Sequence, residues 1–117
     1  EAIQQSQTET ERMGDLLSLA RIFFIRSLIH LNRHDLKDAL SYNARAIEFF
    51  ELLNKPRNIF EALLYGGDIY EMQGDTRRAC AMWTRAIEIV QTRVPGFQRR
   101  LGELNVRLSR YRPAKTD

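Results

Sequence analysis

Several things are scarce in this 117-residue sequence, and each scarcity removes a class of protein. Cys80 is the single cysteine, so no disulfide can form within the chain, and a reducing compartment, the cytoplasm, is the expected location. No apolar run approaches the roughly 18 residues of a membrane span. The densest one, from Leu16 to Leu31, is cut by Arg21, Arg26 and His30 and reads as a buried helix. The alternation of apolar and polar residues that marks strands is missing throughout. The only two histidines, His30 and His34, have a spacing that suits a metal, but third and fourth ligands are lacking. Gly66-Gly67 has no strand before it and no Lys-Ser/Thr after it, so it is no phosphate loop. Cys80 has no neighbouring His to activate it, and no Ser sits in an elbow-type glycine motif. The chain is therefore expected to be neither an enzyme nor a carrier of metal or cofactor. It opens on Glu1 without a charged-then-apolar leader, which suggests a cut through something longer.

What the sequence does have is a repeat. Residues 34 to 50, HDLKDALSYNARAIEFF, laid against residues 74 to 90, GDTRRACAMWTRAIEIV, agree at six of 17 positions. Chance would give roughly one. The offset is 40, and Asn54-Lys55-Pro56 and Val94-Pro95-Gly96 keep the same distance. A fixed period of this size points to stacked units that cannot bury their apolar faces alone. Each unit reads as two helices: about Leu16 to Asn32 and Leu36 to Leu53, then about Arg57 to Gln73 and Thr76 to Gln91. The turns fall at Arg33-His34-Asp35 and Gly74-Asp75, and proline stands where one pair ends and the next begins.

In the second copy, Leu63, Gly67, Tyr70, Gly74-Asp75, Ala79, Trp83 and Ala86 follow a small-large pattern that resembles the tetratricopeptide repeat (TPR). The first copy carries a degenerate version at Phe23, Ser27, His30, His34-Asp35, Ala39, Asn43 and Ala46. The family's usual period is about 34, so this is similar to its longer-helix members, which include kinesin light chains, G-protein-signalling modulators and bacterial signalling and transcription-regulator proteins. The resemblance covers residues 13 to 96. It implies an all-α antiparallel helix-pair solenoid, a TPR-like superhelix. Residues 1–13 would be a partial repeat, the second helix of an earlier unit, with Met13-Gly14-Asp15 standing 40 before Leu53-Asn54-Lys55. Residues 16–53 and 57–92 would be two full repeats, and residues 97–111 an amphipathic capping helix. The polar tail after Pro113 reads as frayed. Within the repeated block, packing explains the alanines and Ile47 and Ile87, but not Arg85 and Glu88.

In TPR arrays the first helix of each repeat lines a concave groove. Position by position, that implies a partner-binding set of Arg21, Phe24, Leu28 and Leu31 with Glu61, Leu64, Tyr65, Asp68 and Glu71. Acids at such positions would repel the acidic chaperone tails that other family members hold. The expected partner is a protein or peptide segment with basic and apolar residues, docking in the groove. The expected function is noncatalytic protein–protein interaction, a scaffold role; the alternative is a regulatory or sensor domain of a larger bacterial signalling protein or transcription regulator. Charge supplies a second site. Residues 1 to 75 hold 8 Lys/Arg against 12 Asp/Glu, and residues 76 to 117 hold 10 against 3. Arg99, Arg100, Arg107 and Arg110, with Arg112 and Lys115 beyond them, form a basic face without any recognised nucleic-acid motif, so nucleic acid is not the expected partner. Self-association through the solenoid ends is a further expectation.

Overall fold

A computed structural model describes the backbone of residues 2–111 and the side chains from residue 11 onward. Arg112, Lys115 and the tail after Pro113 lie outside the described residues, as do the side chains of most of the supposed partial repeat. Among the described residues there is no strand. Five α-helices follow in order: α1 (Ala2–Asn32), α2 (Leu36–Leu52), α3 (Pro56–Met72), α4 (Thr76–Arg93) and α5 (Leu101–Ser109), with a 3-10 helix (Pro95–Arg100) before α5. The chain divides into two compact units, residues 1–55 and 56–117. In the first, α1 packs on α2; in the second, α3 packs on α4, and α4 also meets the 3-10 helix and α5. Among the described residues no helix is long and apolar enough to cross a membrane.

The connections between helices recur at 20-residue intervals. His34, Asn54 and Gly74 all adopt positive φ, at 62°, 54° and 83°. Each is followed by a residue whose N–H donates back to the preceding helix: Asp35 to His30 O, Lys55 to Phe50 O and Asp75 to Tyr70 O, at 2.9 to 3.0 Å. These are left-handed helix stops that satisfy the terminal carbonyls. Asp75 also caps α4 by accepting from the Arg78 N–H at 3.1 Å. Position 14 falls on the same interval, yet no turn forms at Met13-Gly14-Asp15: α1 runs unbroken from Ala2 to Asn32. Here the structure departs from the expected partial repeat. A lone glycine costs a helix only about 1 kcal/mol, so Gly14 by itself does not end α1. The expected single capping helix is also divided, because Pro95 and Gly96 start a tighter 3-10 segment and only residues 101–109 are α-helical.

The small residues of the repeat pack as their pattern implied. Ser27, Ala39 and Ala46 in the first unit, and Ala79 and Ala86 in the second, have no exposed surface, and Asn43 has almost none. Trp83 is fully buried and its indole N–H donates to Leu64 O at 3.1 Å. A Cβ on Gly67 would stand 2.2 Å from Trp83 Nε1, so glycine is what lets α4 press its largest side chain onto α3.

Candidate functional site

The nine candidate groove residues fall into both compact units. In the first, Arg21 on α1 is exposed, while Phe24, Leu28 and Leu31 are half-buried. Phe24 meets Phe50 of α2 edge-on, with ring centroids 6.5 Å apart. In the second, Glu61, Tyr65, Asp68 and Glu71 on α3 are half-buried. Leu64 is 1% exposed, and this corrects its assignment as a groove anchor. Its carbonyl holds the Trp83 indole and its side chain belongs to the core.

The acids of α3 and the arginines of the basic face, expected on separate surfaces, form one site. Asp68 takes both arms of Arg107, Nε to Oδ1 at 2.6 Å and Nη2 to Oδ2 at 3.0 Å. Arg100 donates to Glu61, and again to Glu103 of its own segment at 3.1 Å. Arg110 reaches Glu71 at 3.1 Å, and the Tyr111 hydroxyl donates to the same carboxylate. The bidentate Arg107–Asp68 geometry is the strongest kind of ion pair, and both side chains are largely shielded. Donating to Asp68 raises the Arg107 pKa despite the opposing effect of burial. Burial also lowers that of Arg100, but its bonds to Glu61 and Glu103 outweigh this, so the net shift is upward. Tyr111 is raised as well, first by its bond to Glu71 and then by desolvation and the Glu71 charge.

Aromatic rings complete the contact. Phe97 of the 3-10 segment meets Phe60 of α3 edge-on at 5.2 Å, and Arg100 lies over both rings at 5.4 and 5.1 Å. Tyr111 stacks on Trp83 at 6.3 Å. Leu104 and Leu108 are the only buried residues of α5. Of the four arginines of the basic face, Arg100, Arg107 and Arg110 are thus engaged inside the chain, and Arg99 is exposed. A signal for this was present in the sequence: Glu61, Asp68 and Glu71 step by 7 and 3, Arg100, Arg107 and Arg110 step by the same amounts, and each pair is 39 apart.

The first unit holds a second cluster that sequence alone did not find. Tyr42 of α2 stacks on His30 with rings 5° from parallel and centroids 5.4 Å apart, and lies 6.0 Å from Phe23. Arg26 and Arg45 stand over the Tyr42 ring at 5.8 and 6.0 Å, and Arg45 also over Phe23 at 5.7 Å. Cation–π contact of this kind gives Arg45, part of the repeated polar block, a packing role. His30 faces Asp35 at 3.4 Å, and among the described residues no group of three His, Cys, Asp or Glu gathers as a metal would require. No family model, curated protein or solved structure matches the chain.

Proposed function

We propose that the chain is a noncatalytic protein-interaction module of TPR-like helix-pair solenoid type, whose partner segment is a helix carrying Arg or Lys beside apolar residues. One observation supports this reading above the others: the α3 row already receives such a segment, the chain's own Arg100, Arg107 and Arg110 with Leu104 and Leu108. The α3 acids form a fixed ruler of carboxylates, and any helix with arginines at the same spacing meets it in register. Only two residues of α5 are buried, so the hydrophobic anchorage a competitor must replace is small. A partner helix takes the row by displacing α5.

The test titrates the full chain with two labelled synthetic peptides. One is a basic amphipathic helix with arginines spaced 7 and 3; the other is an acidic peptide ending in a free carboxylate. The basic peptide should bind, should accelerate amide exchange across residues 101–109, and should lose about tenfold or more in affinity to Asp68→Lys with Glu71→Lys. Preference for the acidic peptide defeats the proposal.

A further inference from the structure

The first compact unit presents an apolar row on α1. Leu19, Ile22, Ile25 and Ile29 are 37%, 48%, 54% and 43% exposed. Their steps of 3, 3 and 4 make one helical stripe, on the side of α1 opposite the fully buried Ala20 and Ser27. Aliphatic side chains of this size, clustered and exposed, mark a contact surface more than they mark ordinary solvent exposure. The internal repeat gives the comparison. Forty residues further on stand Ile59, Ala62, Tyr65 and Ile69, and of these Ile59, Ala62 and Ile69 have no exposed surface at all. The same face of the repeat is therefore covered in the second copy and open in the first.

Charge on α1 selects what covers it. Residues 1 to 15 carry Glu1, Glu9, Glu11 and Asp15 against Arg12 alone, whereas residues 16 to 34 carry Arg21, Arg26 and Arg33 and no acid. Asp15 and Arg33 are 18 residues apart, about five helical turns, so they share one line at opposite ends of the stripe. Glu11 lies one turn before Asp15. All three are exposed. A second α1 laid antiparallel, with the two-fold axis passing near Ile22 and Ile25, sets Ile22 of each copy against Ile25 of the other and Arg33 of each against Glu11 and Asp15 of the other. A parallel arrangement would set like charge on like. A two-fold interface needs only one self-complementary surface, and this stripe is one.

We infer that α1 forms a two-fold antiparallel interface with a second copy of this chain, with Ile22 and Ile25 at its centre, Leu19 and Ile29 beside them and Arg33 against Glu11 and Asp15 at both ends. This surface is distinct from the α3 row and stands or falls separately from the proposed partner. Substitutions on α1 also act on the helix itself, so mass and helicity are both read.

Sedimentation equilibrium of the full chain is expected to give twice the 13.7 kDa chain mass. Ile25→Glu with Ile29→Glu should return the single-chain mass with unchanged far-ultraviolet dichroism, because both side chains are exposed. Glu11→Arg with Asp15→Arg should weaken association about tenfold through like-charge contact, and adding Arg33→Glu should restore it. A single-chain mass for the unaltered protein at about 100 μM, far above the range of specific dimers, overturns the inference. So does a dimer that survives the isoleucine substitutions, and a charge reversal without effect overturns the antiparallel arrangement.

Discussion

Gly67 is small because Trp83 leaves no room for anything else. With Cβ 2.2 Å from the indole nitrogen, Gly67→Ala must either push α3 from α4 or swing Trp83 out of its bond to Leu64 O. Overpacking of this kind costs about 1 to 3 kcal/mol, and urea unfolding followed by Trp83 fluorescence should show it. His34 poses the opposite case. It holds a left-handed φ of 62° with an exposed side chain, and a Cβ in that region costs roughly 1 kcal/mol. His34→Gly should therefore stabilise the chain by about that amount, whereas Gly74→Ala, at φ 83°, should destabilise it; thermal unfolding distinguishes the two. Positions such as Ser27 and Gly67, or Asn43 and Trp83, were legible beforehand because the 40-residue offset marks them twice, and all four are buried. Arg45 was not legible. Its partners Phe23 and Tyr42 correspond to Leu63 and Met82 in the second copy, so the repeat conceals the aromatic contact that explains it.

Among the elements, α5 is held by the shielded Arg107–Asp68 pair as well as by its buried Leu104 and Leu108. Asp68→Asn removes the counterion of a largely shielded Arg107, and losing a charged partner of this sort costs about 1 to 3 kcal/mol. Amide exchange across residues 101–109 should quicken while that of α3 and α4 changes little. Tyr111 offers a pH probe of the same docking. Its folded pKa is raised by the bond to Glu71, so its contribution is intact below the ordinary phenol value of about 10 and is lost as pH rises through the higher folded value. The alkaline absorbance titration of the unaltered chain, less that of Tyr111→Phe, should show a phenol ionising above pH ~10. A difference curve centred below that value contradicts the Glu71 bond. The helices α2, α3 and α4, and the end of α1, were legible to within two residues, because apolar spacing and the proline positions both mark them. Two ends were not. Gly14 carries the letters of a turn without its backbone, and apolar spacing does not separate the 3-10 segment from α5.

For the whole molecule, the division of charge changes when it follows the fold. Cut in sequence at residue 75, the chain looks like an acidic stretch of net −4 followed by a basic one of net +7. Counted by compact unit, residues 1–55 carry 7 Lys/Arg against 8 Asp/Glu, net −1, and residues 56–117 carry 11 against 7, net +4. Most of the apparent polarity is thus an ion-pair network folded back on itself, with α3 supplying the acids and α5 with its flanking residues the arginines. An arginine held by a carboxylate cannot also neutralise a phosphate without leaving it, so the basic face offers nucleic acid fewer cations than its sequence suggests. Each free phosphate contact steepens the dependence of log K on log salt by about 0.9 for duplex DNA. With Arg100, Arg107 and Arg110 engaged, a fluorescence-anisotropy salt titration on a duplex oligonucleotide should give weak binding and a shallow slope. Glu61→Gln, Asp68→Asn and Glu71→Gln together should free the three arginines and steepen that slope by up to about 3. A slope unaltered by those substitutions would mean that the α3 carboxylates do not hold these arginines in solution.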